Sequence, residues 1–73
     1  MPIVEVPAPM AGSIKEVLVA VGETVQAGQE VIIIESMKME IPIESPAAAS
    51  VAEILVAAPQ PIAEGQVLLR LAV

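Results

Sequence analysis

Only three residues of the 73 carry a positive charge, Lys15, Lys38 and Arg70, against nine glutamates, so the net charge is 3 − 9 = −6. Lys38 has the most distinctive surroundings. It stands in Glu35-Ser36-Met37-Lys38-Met39-Glu40, a cation between two methionines with a glutamate beyond each end. A lysine amine on its flexible stem can be acylated, which removes the charge and lengthens the arm. An ordinary solvated loop lysine seldom has apolar residues on both sides. Methionines at such a place are either core or presented to a partner.

The missing residue types exclude other chemistry. Without Cys there is no disulfide, thiol nucleophile or thiolate metal site. Without His, a serine nucleophile lacks its usual proton acceptor and a transition metal its commonest ligand. Nine Glu without the Asp- and Gly-containing loop of an EF-hand argue against calcium. Three scattered cations and no aromatic residue argue against nucleic acid. Such a chain is expected to be no enzyme by itself, its reactive group coming from outside.

Glutamates interrupt every apolar stretch well short of the roughly 20 residues of a membrane helix, so no membrane partner is expected. The start, Met-Pro-Ile-Val-Glu, lacks the basic and then apolar regions of a secretion signal. A cytoplasmic location is the expectation.

The elements that must hold Lys38 are strands in two similar halves. Shifted by 46 − 9 = 37 positions, Pro9–Gln29 lies over Pro46–Gln66. Pro9/Pro46, Ser13/Ser50, Glu16/Glu53, Gly28/Gly65 and Gln29/Gln66 are identical, as are four Ala, Leu and Val columns. This implies one domain over 1–73, built as two halves about an approximate two-fold. Val- and Ile-rich runs punctuated by Pro and Gly predict strands at Ile3–Val6, Ser13–Val19, Glu30–Ser36, Met39–Glu44, Ser50–Val56 and Val67–Leu71. Short extended pieces are expected around Val25 and Ile62. Turns are expected at Val21-Gly22-Glu23, Ala27-Gly28, Ala58-Pro59-Gln60-Pro61 and Glu64-Gly65. Alternation slips by one between Ile14 and Val17 and again between Val51 and Ile54, which predicts a β-bulge at the same place in both halves.

The centre of the repeat falls between Met37 and Lys38. One strand from Val31 to Glu44 would be unusually long, so a two-residue hairpin turn is expected there. Such turns favour Asn-Gly because both residues need positive φ, and Met-Lys breaks that preference. Local rules that fail in one place mark a functional constraint.

The segment Glu35-Ser36-Met37-Lys38-Met39-Glu40 resembles the biotin attachment motif of biotinyl domains, usually Glu-Ala-Met-Lys-Met. Ala8-Pro9-Met10-Ala11-Gly12, Val21-Gly22-Glu23-Thr24-Val25 with Gly28, and Gly65-Gln66 are similar to further segments of that family in order and spacing. The length is most similar to that of free-standing biotin/lipoyl attachment proteins. The resemblance implies an all-β flattened barrel, a barrel-sandwich hybrid of two four-stranded antiparallel sheets with quasi-two-fold symmetry, and Lys38 on an exposed hairpin turn. It implies covalent biotin on Lys38, placed there by a biotin–protein ligase through biotinyl-adenylate. It further implies carboxyl shuttling between biotin carboxylase and carboxyltransferase partners by a monomeric domain. Glu35, Ser36, Met37 and Met39 would serve motif and partner recognition, with Glu35 helping to distinguish biotin from lipoate attachment. Lipoyl domains share the fold but typically carry Asp-Lys-Ala around their lysine, which disfavours lipoate here. An unmodified interaction module would need no lysine at the tip. Ser36 departs from the usual Ala by one hydroxyl, and the chain has no residues to spare for the protruding thumb of some bacterial carriers. Glu35, Glu40 and Glu44 are expected near the tip, where they could steer docking.

Overall fold

The computed structural model describes residues 2–73. The repeat becomes eight strands in which each element of the first half has a mate 37 positions later. They are β1 (Ile3–Pro7), β2 (Gly12–Val17), β3 (Thr24–Val25), β4 (Glu30–Ser36), β5 (Met39–Glu44), β6 (Ala49–Ile54), β7 (Gln60–Ile62) and β8 (Val67–Ala72). One antiparallel sheet runs β1-β8-β6-β3 and the other β5-β4-β2-β7. Exchanging β1 with β5, β2 with β6, β3 with β7 and β4 with β8 turns one order into the other. The all-β, quasi-two-fold, two-sheet architecture expected from the sequence is the one observed.

The symmetry extends to single hydrogen bonds. Gly28 N donates to Ser45 O and Gly65 N to Ala8 O, each at 2.8 Å. Gln29 Oε1 accepts from Gln26 N and Gln66 Oε1 from Ala63 N, each at 3.0 Å. The Gly28/Gly65 and Gln29/Gln66 identities therefore have a common cause. Each glycine adopts positive φ (85° and 83°) in a tight turn, and each glutamine side chain closes that turn.

Both bulges lie where the slipped alternation puts them. Pairing to the neighbouring strand shifts between Ile14 and Glu16 in β2 and between Val51 and Glu53 in β6. The extra residues are Lys15 and its mate Ala52. Strands β1, β2, β6 and β8 each extend one residue beyond the expected range at one end, and two larger differences follow. Strands β2 and β6 end at Val17 and Ile54 rather than Val19 and Val56. Val19 and Val56 are still buried, so the apolar pattern outlasts the ladder pairing. Second, the expected turn Ala58-Pro59-Gln60-Pro61 is cut short, because Gln60 and Pro61 belong to β7. Pro61 faces Ser13 across an edge strand, where its missing N–H disturbs no inner pairing. The other strand prolines, Pro7 and Pro42, also lie on edge strands, β1 and β5. Proline blunts three of the four edges against adding a further strand, and the fourth, β3, has two residues.

Between the sheets sits one aliphatic core: Val25, Val31, Ile32, Ile34, Leu68, Leu69 and Leu71 at its centre, with Ile14 and Val51 beside the bulges. Valine, isoleucine and leucine side chains from both sheets fill a thin interior without aromatic rings. Ser45 is the one buried polar residue among those described, and its hydroxyl donates to Ala47 O at 2.6 Å. No buried side-chain polar atom among the described residues lacks a partner.

The molecule measures 35 × 18 × 17 Å. The β4–β5 hairpin joins Ser36 to Met39. Its symmetry mate joins Val73 to Pro2, where Val73 N donates to Pro2 O at 3.1 Å. The terminal strands thus meet like the arms of a hairpin, in the place that the symmetry makes equivalent to the Met37-Lys38 turn.

Candidate functional site at the hairpin tip

Ser36 and Met39 close the β4–β5 ladder and leave Met37 and Lys38 as a two-residue turn. Their φ values are +53° and +64°, the left-handed pair that matches the twist of a tight hairpin. Neither residue is glycine or asparagine, so each bears the steric cost of that conformation. Lys38 is exposed, and none of the described residues makes a hydrogen bond or ion pair with it. Met37 is 91% exposed and Met39 63%, so neither belongs to the core.

The end of β4 next to the turn is tied to the loop before β2. The Ser36 hydroxyl donates to Ala11 O at 3.0 Å. Beside it, β2 comes so close to β4 that a Cβ on Gly12 would lie 2.5 Å from Glu35 O and 3.2 Å from Ser36 Cβ. Gly12 is there for close approach of two backbones. The resulting contact fixes the end of β4 from which the Met37-Lys38 turn leaves. Sequence reasoning missed the role of Gly12 and the partner of Ser36, although the Pro9-Met10-Ala11-Gly12 segment signalled a special loop. Met10 in that loop is also 38% exposed.

Glu35 and Glu40 face each other across the hairpin, just below the turn. Like charges in that register repel. Lys15, carried by the β2 bulge, reaches past β4 and forms an ion pair with Glu40. A bulge re-aims its side chain, and here it supplies a counter-charge and engages the second lysine. Glu35 remains the outward charge nearest the tip. Glu44 is not near it: it pairs with Glu30, five residues along β5 from Met39, about 17 Å at the usual rise of a strand. The expectation that all three glutamates surround the tip is corrected to Glu35 and Glu40, because the strand runs away from the turn.

The opposite sheet treats the equivalent face differently. Arg70 on β8 bonds Glu53 at 2.7 Å and Glu5 at 3.0 Å, and these two bonds raise its pKa above the ordinary guanidinium value. The corresponding row of the lysine-bearing sheet is Glu16, Ile33 and Pro42. One further concavity, of 440 Å³, lies between edge strands β1 and β5; Val4, Val6, Pro7, Pro42 and Ile43 line it, with Glu5 and Glu44 at its sides. It holds no residue of the turn. No group of three or more metal-ligating side chains occurs among the described residues.

Comparison with known proteins agrees with this geometry. A family model described as "Biotin-requiring enzyme" matches residues 4–71. The 1.3S subunit of methylmalonyl-CoA carboxyltransferase from Propionibacterium freudenreichii subsp. shermanii is 56% identical over 36 residues, 49% of this chain and 29% of that protein. The biotin/lipoyl attachment protein of Bacillus subtilis (strain 168) is 59% identical over 34 residues, 47% of each chain. The urea carboxylase of Kluyveromyces lactis contains a region that superimposes with a TM-score of 0.92 at 26% identity, covering 99% of this chain and 6% of that one. The alignments span under half the length of these relatives. With the fold shared and nearly the whole chain matched, the protein belongs to the biotin/lipoyl family of biotin-requiring enzymes, as a biotinyl domain.

Proposed function

We propose that this domain is a biotin carrier modified on Lys38. The observation that carries the reading is the turn itself, a strained left-handed Met37-Lys38 pair presenting an unpartnered, exposed amine between two exposed methionines. The Lys38 Nζ attacks the acyl carbon of an activated biotin supplied by a biotin–protein ligase. An amide forms, the activating group leaves, and the amine loses its proton. The chain has no His and no described residue hydrogen-bonds the Lys38 Nζ, so in this reading the proton goes to the ligase or to water. Biotin, once attached, supplies a ureido nitrogen that accepts a carboxyl group at one enzyme and releases it at another.

The domain's own part is presentation. The β4–β5 ladder, the Ser36–Ala11 bond and the Gly12 contact fix the base of the arm. Met37 and Met39 offer apolar surface to a biotin carboxylase and a carboxyltransferase, and Glu35 offers one charge. Tethering makes the second encounter effectively intramolecular, with local concentrations that reach about millimolar. Lys15 is not the attachment site in this reading: its amine is engaged by Glu40 and its strand neighbours form no turn.

Intact mass of the protein after incubation with ligase, ATP and biotin tests the proposal. A biotinyl increment is expected that Lys38→Arg abolishes and Lys15→Arg preserves. An increment on Lys15, a lipoyl increment in the native host, or no increment with an active ligase would each overturn it.

A further inference from the structure

The groove between edge strands β1 and β5 takes no part in the turn. Its floor is aliphatic: Val6 and Ile43 are buried there and Val4 is half-buried. Four of the chain's seven prolines, Pro7, Pro9, Pro42 and Pro46, line it and are exposed. Val6 and Ile43 are mates (43 − 6 = 37), as are Pro9 and Pro46 (46 − 9 = 37), so the approximate two-fold passes through the groove. Its volume of 440 Å³ falls within the range of ligand clefts, about 300–1,000 Å³. Proline rings fix their φ angles before any partner arrives, so filling the groove orders little.

The charges beside it are unbalanced. Each wall carries one glutamate, Glu5 on β1 and Glu44 on β5. Arg70 already engages Glu5. Glu44 faces Glu30 across the β4–β5 ladder, and neither has a cation among the described residues. Like charges directly opposed on a sheet repel. The same hairpin holds a second opposed pair, Glu35 and Glu40, and there the chain provides its own counter-charge in Lys15. At Glu30 and Glu44 the counter-charge has to come from outside.

We propose that this groove anchors a carboxylase component, which inserts an aliphatic side chain between the proline walls and sets a neighbouring arginine or lysine against Glu44 and Glu30. The inference rests on the carrier reading for what the partner is. Pro7 and Pro42 interrupt the donors of both edges, so the partner adds no strand and enters by its side chains. Glu44 lies five residues along β5 from Met39, about 17 Å, so a partner seated here leaves Lys38 uncovered. The anchored domain keeps its arm free to visit one active site and then another, at the raised local concentration that tethering gives.

The test uses the full unmodified chain, labelled with nitrogen-15, and follows amide chemical shifts on adding two peptide probes. Acetyl-Arg-Leu-Leu-Arg-amide is expected to shift Val4, Val6, Ile43 and Glu44 and to leave Met37, Lys38 and Met39 in place. Acetyl-Arg-Ser-Ser-Arg-amide has the same charge without the apolar side chains and should bind at least about fivefold more weakly. Glu44→Lys puts a cation opposite Glu30, so the far-ultraviolet circular dichroism of the fold should persist. Its affinity for the leucine peptide should fall about fivefold or more, and high salt should weaken the parent's binding likewise. Glu44→Gln should weaken binding in the same direction. Shifts confined to the turn, equal binding of the two peptides, or undiminished binding to both Glu44 variants would overturn the anchor. Groove shifts that appear on concentrating the domain alone would assign the groove to a second copy and overturn it as well. Attachment is read separately with ligase, ATP and biotin. A domain that accepts no biotin refutes the carrier reading whatever the peptides do, and a biotinylated domain whose groove binds neither peptide refutes only the anchor.

Discussion

Replacing the turn by Asn-Gly, with Met37→Asn and Lys38→Gly, should make the domain more stable while abolishing attachment. The structure sets the size. Two residues with side chains sit at φ +53° and +64°. A left-handed conformation costs an ordinary residue about 1–2 kcal/mol, and asparagine and glycine avoid much of that. Glycine returns about 0.5–1 kcal/mol through the greater freedom of its unfolded chain. Little contact is lost, because Met37 is almost fully exposed and Lys38 has no partner among the described residues. The net gain is about 1–1.5 kcal/mol, which raises Tm by about 5–10 °C in a domain of this size. Urea or thermal unfolding followed by far-ultraviolet circular dichroism measures it, since a chain without aromatic residues gives no intrinsic fluorescence signal. Lys38→Arg is the control: it removes the attachment amine, keeps the left-handed strain, and should leave stability unchanged. An Asn-Gly variant no more stable than the parent would refute the strain argument. A less stable one would show that Met37 or Lys38 supports the fold.

Three further outcomes are expected. Gly12→Ala forces a Cβ against Glu35 O, so it should cost about 1–3 kcal/mol in urea unfolding and speed amide exchange in β4. Ser36→Ala removes the hydroxyl bond to Ala11 O; a loss of about 0.5–1.5 kcal/mol should appear in the same unfolding assay with attachment retained. Leu69→Ala opens the centre of the aliphatic core and should cost about 2–5 kcal/mol, visible as a large fall in Tm or as loss of the folded far-ultraviolet spectrum.

Much of the architecture is legible because it depends on near neighbours. The bulges follow from a slipped alternation between Ile14 and Val17 and between Val51 and Ile54. The two tight turns follow from glycine and glutamine spaced alike in each half. Where local signals mislead, the pairing between distant strands decides against them. Val19 and Val56 read as strand because they are buried, yet the pairing stops before them. Gln60 and Pro61 read as turn because proline is a turn former, and only the edge position of β7 makes them a strand.

By itself the sequence determined that a lysine between two methionines stands at the centre of a repeat, in a turn whose residues do not suit it. That contradiction of a short-range rule is enough to single out Lys38. Tertiary structure alone decided what holds it. The Ser36–Ala11 bond and the Lys15–Glu40 ion pair each join residues 25 positions apart, and the tightness at Gly12 exists only once β2 lies against β4. Those contacts depend on which strands become neighbours. Neighbour choice comes from burying both apolar faces in one shared core, a condition on the whole chain that no short segment contains.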